Sequence, residues 1–261
     1  MRKKKRSQIF DIIKFTAVAL AGIWLLVRGS GELGYNWQMY RVPQYLFTIE
    51  DGVFNAGPLL EGLAITLKIS GISLVLAFAF GLLTALLRLS DSFVARSLAR
   101  IYLELVRNTP LLVQIFFIYF VMGPILDIDR FFAAILALSL FEGAYASEIF
   151  RAGIVAIHKG QWEAAHSLGM NIFHIYRWII LPQAIQKISP PLVGQGISLI
   201  KDSALVSTIA VYDLTMRGQV IISKTFLTFE IWFTIAAIYL MITVTLSLIV
   251  NILENRIKII T

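Results

Sequence analysis

Apolar residues in this chain gather into long runs divided by short polar segments. A helix needs about 20 residues to cross a bilayer core of roughly 30 Å. Six stretches approach or exceed that length, at about 9–28, 59–87, 101–123, 131–151, 183–211 and 229–253. The pattern predicts an all-α membrane protein with about six transmembrane helices. The first stretch is the shortest: its uninterrupted apolar part, residues 15–27, is 13 residues long, or ~20 Å of helix. It spans only if residues 9–14 join it, with Asp11 and Lys14 at headgroup depth. Two polar segments stand out between the runs. Residues 29–57 carry Trp37, Tyr40 and Tyr45, aromatics of the kind found at a membrane interface, and residues 152–182 form a second, more basic loop.

Composition agrees with this reading. Hydrophobic residues make up 58% of the 261 residues and charged ones 15%, where soluble domains have about 25% charged. A disordered chain, a collagen-like repeat and most soluble folds are thereby excluded. The absence of Cys removes disulfides, thiolate metal sites and cysteine nucleophiles together. A net charge of +7 is compatible with nucleic-acid binding, but in so apolar a chain it reads better as a topology signal. With the N-terminus inside, 16 Lys and Arg fall on the inner side (residues 1–14, 88–107, 151–187 and 256–258) and six outside, with Lys68 within a span. This imbalance predicts both termini in the cytoplasm.

Arg2, Lys3, Lys4, Lys5 and Arg6 ahead of the first run also fit the n-region of a signal peptide. No small-x-small site precedes Arg28-Gly29-Ser30-Gly31, so a retained anchor helix is the expectation. Residues 1–56 are then an N-terminal anchor helix and extracytoplasmic loop, and 57–261 the main membrane domain.

The inner loop carries the strongest local signal. Residues 161–168 read as a short helix, Gly169 as a break able to take positive φ, and the following residues as a second amphipathic helix ending before Pro182. Ala164 and Ala165 are small enough for another surface to approach closely. Ile172, Ile175, Tyr176 and Ile179 recur at helical spacing. A helical hairpin between two spans makes a stiff docking knob.

Glu163-Ala164-Ala165, with Gly169, Ile179 and Leu181-Pro182 in register, resembles the EAA loop of bacterial ABC importer permeases. The resemblance extends over about residues 57–253. It is strongest toward the polar amino-acid subfamily, through Glu104-Leu105-Val106-Arg107-Asn108-Thr109-Pro110, Gly143-Ala144-Tyr145, Lys159-Gly160-Gln161 and Lys201-Asp202-Ser203-Ala204. His158 and Asn108 depart from the family pattern, which usually has Pro and often Gly at those places. The resemblance implies a five-helix permease core preceded by one added helix, in the bacterial plasma (inner) membrane. It implies a coupling helix that seats Glu163, Ala164, Ala165 and Gly169 on an ATPase subunit. The implied partners are two ATP-binding-cassette ATPase subunits, a second permease subunit of the same or a related chain, and a periplasmic or lipid-anchored solute-binding protein. ATP and Mg would be bound by the ATPase, with no cofactor, metal or catalytic residue in this chain, and no nucleic acid as partner.

Few ionisable residues lie inside the spans, and each is a candidate for function. Lys68 lies near the outer end of its helix and reads as a snorkelling residue, and Glu148 with Arg151 as a local pair. Glu142 lies about halfway along its span, either as a protonated or hydrogen-bonded packing residue or facing the solute path. The fifth span holds Pro190, Pro191, Gly194, Gln195, Gly196, Ser198, Lys201 and Asp202, a composition that predicts a broken helix beside protein or a water-filled cavity. Gln195 and Ser198 are expected on the solute path, with Lys201 and Asp202 either joining them or capping the helix as an ion pair. A neutral Gln195 argues against a cationic solute. The local strings resemble glutamate/aspartate-type permeases, so the resemblance leans toward an acidic amino acid.

No Gly-Lys pair occurs, so a phosphate-cradling loop for ATP is absent from this chain. His158, His166 and His174 are the only histidines, all in the inner loop and eight residues apart. That spacing rotates each about 80° from the last on a helix, which disfavours a metal or catalytic set. The alternative is an ion-gradient-driven secondary amino-acid transporter with Glu142 as proton carrier. It calls for inverted repeats, which the sequence does not display.

Overall fold

The structure is a computed structural model. It describes residues 35–50 and 52–258, together with residues 10, 13–18, 20–22, 24, 25, 28 and 29. Much of the expected first span at 9–28, the basic residues before it and the C-terminal three residues lie outside the described residues. The chain divides into two compact units, Met1–Tyr40 and Arg41–Thr261. In the first, residues 13–18 and 20–22 are helical. The Lys14 ammonium sits 4.9 Å from the Phe10 ring centroid.

Among its described residues the second unit is helical apart from one hairpin and short connections. β1 (Phe47–Glu50) pairs antiparallel with β2 (Val53–Ala56), Phe47 opposite Ala56 and Glu50 opposite Val53. Gly52, at φ +77°, makes the turn. This hairpin lies in the segment read above only as a loop. Eight helices follow: α1 (Pro58–Leu89), α2 (Phe93–Arg107), α3 (Leu111–Leu126), α4 (Arg130–Val155), α5 (Lys159–Ser167), α6 (Ile172–Ile209), α7 (Leu214–Thr225) and α8 (Thr228–Lys258). Among the described residues α1, α4 and α8 are each long and apolar enough to cross a membrane, and the bent pairs α2–α3 and α6–α7 raise the count to five. The all-α membrane architecture read from the apolar runs therefore holds.

α4 is the central helix, with 61% of its most apolar window buried, and α8 is peripheral, with 6%. Lipid tails give no hydrophobic drive between helices, so close contact must come from small side chains. α1 supplies them: Ser73, Ala77, Gly81 and Ala85 are buried at four-residue spacing. A Cβ on Gly81 would lie 2.8 Å from Ala146 Cβ and 3.0 Å from the Gly143 carbonyl oxygen. A Cβ on Gly143 would lie 3.2 Å from the Ala77 carbonyl oxygen. The Ser73 hydroxyl donates across this seam to the Ile135 carbonyl at 3.3 Å.

Three boundaries differ from the sequence reading, each for a local reason. The expected span 101–123 is instead two helices bent by 106°, with residues 101–107 belonging to α2. Pro110 disfavours helical φ/ψ at Thr109. Asn108 closes α2 by donating its side-chain amide to the Glu104 carbonyl at 2.9 Å. In the fifth span the break is not at the proline pair. Residues Leu181–Asp202 stay α-helical through Pro190 and Pro191, and the chain tightens into a 3₁₀ turn only at Ser203–Ile209. The second helix of the inner loop does not end before Pro182 either. It runs on into α6 through a π turn at Tyr176–Ile180, with the Gln183 side chain donating to the Ile179 carbonyl at 2.9 Å.

α7 is only 12 residues long and carries Arg217, Gln219 and Lys224, so no apolar run marks it. Its start was nonetheless marked. Asp213 accepts from the Met216 N–H at 2.8 Å as an N-cap. Leu214, Gly218 and Ile221 recur at helical spacing and are buried.

Candidate functional site

Two groups of residues carry the chemistry, one at the end of α4 and one along the seam between α4 and α6. The first is the turn-and-helix connection of residues 156–180. The His158 ring nitrogen Nδ1 accepts from the Gly160 N–H at 3.0 Å and starts α5. At its other end Gly169 has φ +71°. The Gly169 N–H donates to the His166 carbonyl at 2.9 Å and the Met170 N–H to the Ala165 carbonyl at 3.2 Å. This pair of bonds is a Schellman motif, which an L side chain at Gly169 would strain. Asn171 then caps the next turn, its Oδ1 accepting from the His174 N–H at 3.0 Å.

The loop has a core of its own. Ala165 is fully buried with Ile154, Ile157, Ile175, Ile180 and Ala184, and Trp162 and Tyr176 meet edge to face across it. Ala165 therefore faces inward, while Glu163, Ala164 and Leu168 point outward and exposed. Of the apolar series read from spacing, Ile175, Tyr176 and Ile179 pack into this core. Ile172 is instead 56% exposed. α5 is thus a knob fixed from beneath, with a small, uncharged patch at Ala164 beside the Glu163 carboxylate.

The second group begins at Glu142, which is fully buried on α4. Its Oε2 accepts a hydrogen bond from the Gln195 side-chain amide on α6. Its Oε1 has no hydrogen-bond partner among the described residues. The Asp202 carboxyl lies close enough to interact with it. Gln195, Ser198 and Asp202 are three and seven residues apart, so they share one face of α6, and all three are half-buried. Lys201 lies off that face and is exposed. No ion pair joins Lys201 to Asp202 among the described residues, so the capping pair considered above does not form. Lys68 is exposed, its ammonium 5.3 Å from the Phe131 ring centroid.

Sequence reasoning missed the company that Glu148 keeps. The expected pair with Arg151 is present at 3.2 Å. The same carboxylate also receives Arg88 of α1 at 2.7 Å and Arg107 of α2 at 3.0 Å. Arg107 was legible as part of a motif, but its partner lies 41 residues away and no local spacing announces it.

Residues 77–259 match the family described as binding-protein-dependent transport system inner membrane component. The chain belongs to that family. The glutamine transport system permease protein of Escherichia coli K12 is 41% identical over 204 residues, covering 77% of this chain and 93% of that protein. A putative glutamine permease of Rickettsia typhi is 40% identical over 200 residues, covering 76% of this chain and 92% of that one. Among solved structures, an amino acid ABC transporter crystallised with histidines is 39% identical with a TM-score of 0.72, covering 76% of this chain and 94% of that chain. An alginate ABC importer shares the fold at 16% identity and a TM-score of 0.63, over 95% of this chain and 96% of that one.

The chain is accordingly a multi-pass inner-membrane permease subunit of an amino-acid ABC importer. It is the membrane subunit and not the ATPase, whose hydrolysis belongs to a separate partner chain. Membership removes the ground for an ion-gradient-driven secondary transporter.

Proposed function

We infer that this permease subunit carries glutamine or a closely similar neutral polar L-amino acid inward, with both termini in the cytoplasm. Two permease subunits line one path, two ATPase subunits that bind ATP and Mg dock on the α5 side, and a solute-binding protein delivers from the other face. Residues 1–56 serve as the anchor and outer loop, and residues 57–261 as the transport domain. The exposed Glu163 and Ala164 contact the ATPase, while buried Ala165 and the Gly169 turn fix their position. The observation that carries this reading is the self-packed α5 knob, held rigid against the end of the central helix α4. A stiff knob transmits a displacement of the ATPase to the spans. The transporter then moves between two states that ATP and solute bias by binding them differently.

The relatives and the seam together support this choice of substrate. The 41%-identical relative transports glutamine by its name. Glu142 and Asp202 place two carboxyl groups beside Gln195 and Ser198. That pair matches an α-ammonium group and opposes a side-chain carboxylate, which favours an amide over the glutamate or aspartate suggested by local strings. Gln195, Ser198, Asp202 and Glu142 are assigned to the path, and Lys201 to its exposed margin. Uptake of labelled glutamine should be competed by unlabelled glutamine at least about tenfold more strongly than by glutamate or aspartate, a difference of ~1.4 kcal/mol. Equal or stronger competition by glutamate would return the assignment to an acidic substrate.

A further inference from the structure

Beside the Glu148 cluster the structure has a half-open cavity of about 610 Å³, at the end of α4 that leads into α5. Five arginines line it, Arg88, Arg96, Arg100, Arg107 and Arg151, against only two carboxylates, Glu104 and Glu148. Glu148 is already shared by Arg88, Arg107 and Arg151. Glu104 holds the Asn108 amide at 2.7 Å. Among the described residues the Arg96 side chain donates only to the Ser90 carbonyl, at 3.2 Å, and Arg100 has no side-chain hydrogen bond or ion pair. The cavity therefore holds an excess of positive charge, with two guanidinium groups free of any carboxylate among the described residues.

The helix that carries these two arginines is built for a membrane surface. α2 is bent 106° from α3, so it lies across the direction of that segment. Val94, Leu98, Ile101 and Leu105 form one stripe, 64%, 60%, 56% and 64% exposed. At 100° per residue, Arg96, Arg100 and Arg107 fall on the opposite side. Ala99 and Leu103, both buried, border the arginines on that side, where α2 packs on the rest of the protein. A helix with an exposed apolar stripe and a basic opposite face lies in the plane of the interface, acyl chains below and headgroups beside it. Tyr102 locks it there by donating to the Leu140 carbonyl of α4 at 2.6 Å.

We propose that this arginine-lined cavity is a binding site for the phosphodiester headgroup of an anionic membrane lipid, gripped by Arg96 and Arg100. The chemistry is phosphate recognition by planar guanidinium forks. The exposed apolar stripe on the other side of α2 seats the helix at the depth of the headgroups, where a membrane lipid reaches the cavity. Basic pockets between membrane helices on the cytoplasmic side favour such headgroups. The assignment rests on the inward orientation of this end given under Proposed function. Its consequence is that lipid composition acts on α2, and through Arg107 and Glu148 on the end of α4, directly before the coupling knob.

The test uses the full permease–ATPase complex in nanodiscs of phosphatidylcholine, with or without phosphatidylglycerol. Retained lipid is read by native mass spectrometry and stability by thermal melting. The parent should retain phosphatidylglycerol selectively and melt higher in its presence. An Arg96→Gln, Arg100→Gln double variant should lose that selectivity roughly tenfold or more, with unchanged melting in pure phosphatidylcholine, since both arginines are exposed and outside the Glu148 cluster. An Arg96→Lys, Arg100→Lys variant, which keeps the charge and loses the fork, should retain a selectivity between those of the parent and the Gln variant. Undiminished phosphatidylglycerol retention by the Gln variant would overturn the proposal. So would inorganic phosphate in phosphatidylcholine nanodiscs reproducing the parent's full melting shift, which would make the ligand a soluble anion. Lipid retention is readable whether or not the complex transports glutamine, so failure here is distinct from failure of the transport assignment.

Discussion

Gly169→Val should reduce ATP-driven uptake by one to two orders of magnitude while the chain still inserts and folds. Gly169 has φ +71° and open space around the site of a Cβ, so the substitution meets backbone strain and no clash. An L residue in the left-handed region costs roughly 1–2 kcal/mol, and a β-branched one is the worst case. The chain can relieve that strain only by giving up the Schellman bonds from Gly169 and Met170, each a net contribution of about 0.5–1.5 kcal/mol. Either way α5 rotates relative to the core beneath it, and Glu163 and Ala164 no longer meet the ATPase in register. At ~1.4 kcal/mol per tenfold, a loss of 2–3 kcal/mol in the docked complex gives about two decades. Co-purification of the ATPase subunit, measured beside uptake, checks this. Asn, which tolerates left-handed φ, should restore most of the function at the same position. Parental uptake in the Val variant with the ATPase fully retained would remove the turn from the coupling role.

The second large effect is at Gln195. Gln195→Leu removes the hydrogen bond to a fully buried carboxyl whose other oxygen already has no hydrogen-bond partner among the described residues. Leaving one partner of a buried pair unsatisfied costs about 1–3 kcal/mol, more where the group is charged, whereas replacing both by apolar groups can be nearly neutral. The single variant should therefore melt lower and lose uptake. The double variant Glu142→Leu, Gln195→Leu should regain most of the thermal stability and none of the uptake. This cycle separates the structural contribution from the transport contribution. Recovery of uptake in the double variant would show the pair to be packing alone.

How much of this was legible in the chain depended on the range of the signal. α1, α4 and α8 announce themselves because about twenty predominantly apolar residues with few charges have one reading in a bilayer. The α5 knob was legible because Gly169 and its flanking small residues are a local pattern. The proline pair misled in the fifth span. Pro190 and Pro191 remove the donors to the Gln186 and Lys187 carbonyls, yet Leu181–Asp202 stays one α-helix, as is tolerated where freed backbone lies beside protein or a cavity. The bend between α2 and α3 was hidden because residues 101–123 are apolar on both sides of it, and hydropathy does not register Pro110. Glu142 was picked out by its depth, yet its bond to Gln195, 53 residues away, needed the packing of α4 on α6. The convergence of Arg88, Arg107 and Arg151 on Glu148 was equally beyond reach, since residues from three helices meet there.

The central claim is that α5 couples a partner ATPase to amino-acid movement through this chain. Its most direct measurement is glutamine uptake into proteoliposomes holding this permease, its ATPase and its binding protein. ATP is either enclosed on the ATPase side or replaced by a non-hydrolysable analogue, with no ion gradient present. Accumulation with ATP alone, abolished by the analogue and by Gly169→Val, is the predicted result. Accumulation driven by a proton or sodium gradient without ATP, or full ATP-driven uptake with the ATPase undocked from α5, would contradict it.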